Sequence, residues 1–192
     1  DLKELGLLIK EEPYEHNTVI CYKCNRTLEP RVMPQWFVKM EPLAKKAIEV
    51  VKKGEVKIIP GFQEKIYFNW LKNIRDWNIS RQIAWGIPIP AKVCPNTNCD
   101  FGIVDLNNKE KKCKKCGSEL VKDPDTFDTW FSSGQWPFAT LHYPNHPDFK
   151  TFYPTDVMET GADILFFWVA RMIMLGLYRT GQIPFKTVYL HG

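Results

Sequence analysis

The chain has 192 residues, of which 44% are hydrophobic, 25% charged and 14% aromatic, and it carries a formal net charge of +4. That length and composition suit one ordinary domain or two small ones that bury a core, and exclude a disordered tail, a collagen and a coiled coil. The mild basicity permits contact with nucleic acid without arguing for it.

In chain order, residues 2–20 are short-patterned and polar, and read as loop with some strand. Gln35, Trp36, Phe37 and Val38 are β-prone and predict a short strand. Residues 42–53 carry apolar side chains at 43, 47, 50 and 51, which is helical spacing, and Gly54 is a natural stop. A short strand is expected over 56–59. A second helix is expected over 62–74, with apolar positions 62, 66, 70, 71 and 74. Residues 77–85 read as a strand running into a turn over 86–90. Residues 93–122 are rich in Cys and Lys and differ from their surroundings, as an inserted module does. Residues 127–138 are aromatic, 143–153 read as loop, 160–178 as one apolar helix ending at Gly181, and 187–190 as a buried strand. Helices alternating with short strands predict an α/β fold.

No apolar run reaches the ~18 residues a membrane span needs, because Arg171 breaks the longest one. The first residues show neither the basic nor the apolar part of a secretory signal. With no initiator Met, the sequence reads as a segment of a longer chain.

Six cysteines fall in three close pairs, which in the absence of a secretory signal suggests metal ligands in a reducing cytosol. Cys94 and Cys99, then Cys113 and Cys116, give C-x4-C and C-x2-C separated by thirteen residues. Four thiolates at that spacing can close a tetrahedral Zn2+ site with ~2.3 Å bonds. Such a site has no open position, so its expected role is structural. Gly117 suits the turn after the last ligand, and Lys111, Lys112, Lys114 and Lys115 offset the thiolate charge. Cys21 and Cys24 make half of a second site that needs two further ligands.

No Gly-rich phosphate loop and no Ser-His-Asp or Cys-His set is spaced for catalysis, and His142 and His146 read as solvated loop residues. Periodicity and composition therefore give an α/β domain with a zinc ribbon, and no chemistry.

Specific blocks say more. Asn73, Ile74, Arg75, Asp76 and Trp77, running on through Arg81 and Gln82 to Trp85 and Gly86, resemble a segment of the class I aminoacyl-tRNA synthetases for aliphatic amino acids. The run from Asp128 to Ser133 followed by Trp136, Pro137 and Phe138 is similar to the valine-specific branch. So is the run from Thr160 through Gly161, Ala162, Asp163 and Ile164 to Met174, closed by Leu190, His191 and Gly192. Glu29, Pro30 and Arg31, with the stretch from Gln35 to Met40, match the place where that family leaves its editing insertion. The likeness covers nearly the whole chain, and departs from the branch pattern at Asn78, at 83–84 and 86–90, and at Ala162.

The resemblance implies a partial Rossmann-type catalytic domain with an inserted zinc ribbon. The expected organisation is 1–40 as the end of the editing insertion and the return segment, 41–92 as catalytic domain, 93–122 as the ribbon, and 123–192 as catalytic domain with half of the aminoacyl-adenylate site. It implies an enzyme that joins valine to ATP and passes the valyl group to tRNA(Val), with Mg2+ accompanying ATP. The HIGH and KMSKS signatures are absent from this sequence, so no catalytic residue is assigned and the segment alone is expected to be inactive. Trp130, Ile164 and Trp168 resemble the apolar cup for the side chain, Asp163 a ligand for the adenylate's polar groups, and Trp85 an aromatic behind the pocket. Thr160 and Gly161, with His191 and Gly192, resemble the ribose and adenine edge.

Plainer readings stand beside these. Trp130 and Trp168 also fit as core aromatics, Asp163 as a helix N-terminal acid, and Arg81 and Gln82 either as catalytic-domain scaffold or as contacts to the tRNA acceptor end. A nucleic-acid-binding α/β module gripping RNA through a basic zinc ribbon, and a synthetase for isoleucine, are the alternative functions.

Overall fold

The structure, a computed structural model, describes residues 1–21 and 24–192; Tyr22 and Lys23, inside the second Cys pair, lie outside the described residues. The chain divides into two compact units, residues 1–34 and 35–192. In the smaller unit, an isolated bridge pairs Ile20 with Thr27, and the Arg26 carbonyl accepts the Cys21 amide at 2.8 Å. Residues 35–40 fold with the larger unit.

The larger unit begins with β1 (Phe37–Val38), α1 (Glu41–Lys52), β2 (Lys57–Ile59), α2 (Gln63–Lys72), β3 (Trp77–Asn78) and β4 (Ser80–Arg81). The ribbon strands follow: β5 (Ala91–Val93), β6 (Gly102–Val104) and β7 (Val121–Lys122). Then come β8 (Thr126–Phe127), α3 (Thr129–Ser133), α4 (Trp136–Ala139), α5 (Pro147–Phe152) and β9 (Thr155–Gly161). A 3-10 turn (Ala162–Ile164) and a π-helical turn (Leu165–Ala170) lead into α6 (Arg171–Thr180), and β10 (Phe185–His191) ends the order.

A parallel sheet of order β2-β10-β9 is the centre of the unit. Parallel neighbours need a crossover, and the 3-10, π and α6 stretch supplies it between β9 and β10. Successive residues of a strand face opposite ways, so along the end of β10 Val188 and Leu190 are buried and Tyr189 and His191 exposed, while Phe185 at its start is buried from the other face. The buried side meets Val169, Met172, Ile173 and Met174 of the crossover, and Ala44, Ala47, Val50 and Val51 of α1. The two expected helices near 42–53 and 62–74 appear as α1 and α2 with one-residue or two-residue shifts at their ends, which is the ordinary fraying range.

Three expectations change. Residues 160–178 do not form one helix. Thr160 and Gly161 stay in β9, where they pair with Leu190 and His191, and the helical part begins only at Ala162. That strand pairing is non-local, so no local period announces it. Residues 143–153 are not all loop: His146 caps α5 by accepting the Asp148 amide, and Pro147 fills the first helical position. The expected strand over 77–85 is only β3 and β4. Residues 83–85 leave the sheet, and Trp85 is 91% exposed.

The ribbon is a three-stranded antiparallel sheet of order β6-β5-β7. It is fastened to the rest of the unit by Trp36, whose Nε1 donates to Asp123 at 2.6 Å and whose ring lies against Gly102.

Candidate functional site

Two tryptophans expected to line the cup lie on neighbouring elements. Trp130 is the second residue of α3, and Trp168 sits in the π-helical turn. Both are half-buried against the main core. Trp168 Nε1 donates to the carbonyl of Ser133, the last residue of α3, at 3.0 Å. The Trp130 ring stacks on Phe167 with centroids 5.9 Å apart. The five-residue helix α3 therefore carries one tryptophan and receives the other. Ile164 closes the 3-10 turn and is half-buried.

The start of α3 is fixed by Asp128. Its Oδ1 accepts the Trp130 amide at 3.2 Å, a capping bond on an otherwise unpaired N–H. Its Oδ2 accepts Trp77 Nε1 at 2.9 Å and lies 2.9 Å from Arg81 Nη2 and 3.8 Å from Arg171 Nη1. The Arg171 guanidinium lies 3.7 Å over the Trp77 ring, a cation–π arrangement. Burial lowers its pKa to about 10, against the pull of the Asp128 carboxylate, so it remains charged at neutral pH. Arg171 Nε and Nη1 are buried with no hydrogen-bond partner. Arg81 also donates to the carbonyls of Asn78 and Ser80, which is the scaffold role weighed for it. Gln82 donates to Asp125 and Gln35.

The second group gathers at the C-terminal ends of β9 and β10. Thr160 pairs with Leu190, and Gly161 with His191. Thr160 is buried. A Cβ added to Gly161 would lie 2.5 Å from Asp163 Oδ1 and 3.9 Å from His191 Cε1, so these three residues are neighbours. Glu159 Oε1 stands 3.0 Å from His191 Nε2. The open end of a parallel sheet is where α/β folds bind ligands. Gly192 follows at the exposed end of β10. Trp85 borders a groove of about 550 Å³ that it shares with Arg81, Asp128, Thr129 and Ser132, on the Arg81–Asp128 side of α3.

The four ribbon cysteines converge, their Sγ atoms all lying within 4.8 Å of one another. Cys94 and Cys116 are 3.4 Å apart, and Cys99 and Cys113 3.7 Å. A tetrahedron of 2.3 Å Zn–S bonds has edges of about 3.8 Å, so the set fits a tetrahedral metal ion. Burial pushes the Cys94 thiol up to about 12, whereas the hydroxyl and amide of Ser118 hold Cys116 down at about 6. Lys115 pairs with Asp100 and Lys114 with Glu110, so both lysines are tied to carboxylates. Cys21 and Cys24 join no group of three or more metal-ligating side chains among the described residues.

Sequence reasoning missed Asp128, Arg171 and Phe167. Arg171 interrupts an apolar run, and a charge in that position signals a buried partner. Asp128 directly precedes a short helix, as a capping acid does. Phe167 lies in an apolar run whose pattern suggests core, yet it is 39% exposed and stacks on Trp130.

A family model described as tRNA synthetases class I (I, L, M and V) matches residues 9–192. The chain is 53% identical over its whole length to the valine–tRNA ligase of Fusobacterium nucleatum, and 48% identical to that of Thermotoga maritima, covering 22% of each. It thus spans about a fifth of the length of the curated relatives it matches. Among solved structures, the methionyl-tRNA synthetase of Mycobacterium tuberculosis bound by methionyl-adenylate is similar with a TM-score of 0.57 at 15% identity, over 91% of this chain and 29% of that one. Its ligand-free form gives 0.60 at 14% identity, over 91% and 30%. At these identities the likeness is one of fold.

Proposed function

The chain belongs to the class I tRNA synthetases of the isoleucine, leucine, methionine and valine group, and from that premise we propose that it is a catalytic-domain segment of a valine–tRNA ligase. The parent enzyme activates valine with ATP to valyl-adenylate and pyrophosphate, then transfers the valyl group to tRNA(Val) in the cytoplasm. The observation that carries the reading is the attachment of both Trp130 and Trp168 to α3. Two fixed indole rings with Ile164 make a small apolar cup. A cup of that kind rejects one extra methylene by roughly 10–200-fold.

At the ends of β9 and β10, Thr160, Gly161, His191 and Gly192 take the ribose and adenine side. The side-chain-free Gly161 lets backbone approach the nucleotide, and Asp163 receives the polar groups of the adenylate. Mg2+ enters with ATP as part of the substrate. The ribbon holds structural Zn2+ through Cys94, Cys99, Cys113 and Cys116, and Cys21 and Cys24 supply half of a second site. Within the segment we assign 1–40 to the end of an editing insertion and its return, 41–92 and 123–192 to the catalytic domain, and 93–122 to the ribbon. Trp85 supports the cup from outside, across the α3 residues Thr129 and Ser132.

Amino-acid-dependent ATP–pyrophosphate exchange tests the proposal, run on the full-length protein with valine, isoleucine, leucine and threonine. Exchange strongest with valine supports it. Exchange strongest with isoleucine or leucine keeps the family and removes the valine-sized cup. No exchange with any of them overturns the reading in favour of RNA binding without catalysis.

A further inference from the structure

The carboxylate of Asp128 is the meeting point of four groups drawn from three separate stretches of chain: two donate hydrogen bonds to it, and two are guanidinium groups in ion-pair range. These are the Trp130 amide on α3, Trp77 Nε1 on β3, Arg81 on β4, and Arg171 at the start of α6. Arg171 is the unusual member. It is 7% exposed, its Nε and Nη1 have no hydrogen-bond partner, and its guanidinium is stacked on Trp77. A buried cation in this state is expensive to keep, and apolar replacements of buried ion pairs are often neutral or stabilising. Stability alone is therefore a poor reason for its presence.

What Arg171 does touch is the one carboxylate that caps the helix presenting Trp130. Asp128 Oδ1 sets the direction of the first turn of α3 through the Trp130 amide. The last carbonyl of the same helix receives Trp168. Gly134, just past that end, is seated so closely that an added Cβ would lie 2.8 Å from Leu175 Cδ1 of α6. Both ends of α3 are thus referenced to α6, one electrostatically and one sterically. A rotation of α3 by a fraction of a turn would move both indoles together.

We infer that Arg171, acting through Asp128, is a positioning residue that sets the size of the amino-acid cup by fixing α3 and the two tryptophans attached to it. The inference rests on the valine cup proposed above. It assigns no contact between Arg171 and substrate. Trp77 serves the same end by holding Asp128 Oδ2 and flattening the guanidinium against its ring.

The test is a double-mutant cycle in the full-length enzyme with Arg171→Met, Asp128→Asn and the pair. Asn keeps the capping oxygen and removes the charge. KM and kcat are read for valine, isoleucine and ATP in pyrophosphate exchange, with Tm followed alongside. The expected result for Arg171→Met is a rise of about tenfold in the valine KM and a fall of about tenfold in the valine-to-isoleucine ratio of kcat/KM. The ATP KM should stay within about twofold, and the double variant should be no worse than the worse single one, as for residues acting through one contact. Arg171→Lys should recover part of the ratio, and it supplies the same readouts where Arg171→Met does not fold. A lowered Tm with valine KM and the ratio unchanged would make Arg171 purely structural and overturn the inference. Fully additive effects would overturn the route through Asp128. Unaltered enzyme that shows no valine-dependent exchange removes the cup itself, a failure visible before any variant is made.

Discussion

The parallel-sheet body and the cysteine ribbon are held together in opposite ways within one continuous chain. In the body, Val188, Val169, Met172 and Ile173 are fully buried, and β10 alone contributes three buried side chains. In the ribbon, strands of two or three residues surround a cluster whose buried members are Cys94, Cys113 and Leu120. Two of those three are thiols. Apolar burial of that size does not offset the chain entropy of about thirty ordered residues. The body is specified by side-chain volume and period, the ribbon by ligand spacing, and each fails in its own way when altered.

The largest effect is expected where the ribbon loses a ligand. With Cys113→Ser, zinc content should drop from one equivalent to none at the ribbon, and amide protection should vanish across β5, β6 and β7. Structural zinc sites carry on the order of 10–16 kcal/mol of apparent binding energy, far more than this small cluster supplies by packing. Strands β9 and β10 should keep their protection. Hydrogen exchange with metal analysis reads both at once. A ribbon that stays protected without metal would break the contrast, because it would mean the apolar cluster suffices.

A cavity in the body should do the reverse. Ile173 is fully buried in the main core, and Ile173→Ala should cost about 2–5 kcal/mol of global stability. Chemical denaturation measures this, and zinc stoichiometry at the ribbon should not change. Loss of zinc at denaturant concentrations where the body remains folded would show that the two regions are more closely linked than the Trp36–Asp123 attachment suggests.

Gly161→Ala sharpens the comparison inside the body, between what holds the fold and what shapes the site. Gly161 has φ −63°, which alanine adopts without strain. The added Cβ collides only with the carboxylate end of Asp163, at 2.5 Å, and a flexible end swings away. Stability should change by less than about 1 kcal/mol. Affinity of the full-length protein for a valyl-adenylate analogue should fall, because Asp163 is displaced. Calorimetry on both quantities separates them, and unchanged affinity would remove Asp163 from the adenylate side.

The same division explains what could be read from sequence. Helices α1 and α2 were legible because their apolar residues repeat locally, and the ribbon because its ligands are spaced locally. The end of β9 was not legible: Thr160 and Gly161 belong to a strand by virtue of Leu190 and His191, thirty residues away. The cup proposed for Trp130 and Trp168 rests on family resemblance, since neither has a local pattern that separates cup from core. Asp128 escaped for a similar reason. Its partners Trp77, Arg81 and Arg171 lie more than forty residues from it, and nothing near Asp128 in the sequence points to them.

The smallest effects separate two carboxylates that share a direction of shift but not an environment. Asp105, in the ribbon, is raised by burial, yet the amides of Lys109 and Glu110 at 2.9 Å and the Lys92 ammonium more than reverse this, and hold it below its ordinary value. Glu49, on the exposed side of α1, is lowered by its hydrogen bond and ion pair with Lys53. A carboxyl group lowered on folding contributes stability that is complete above its unfolded pKa, about 4, and lost as pH falls through the folded value. Asp105→Asn should therefore lower amide protection at residues 109 and 110 at neutral pH; the comparison is read above the pH at which protons release metal from the thiolates, because a ribbon without metal loses protection in both proteins. Glu49→Gln should give a shift in Tm at low salt that disappears in 1 M salt and in acid, because water and ions screen an exposed pair. A Glu49→Gln effect that persisted in high salt would mean that the body depends on surface charge, against a core built from Val169, Met172, Ile173 and Val188.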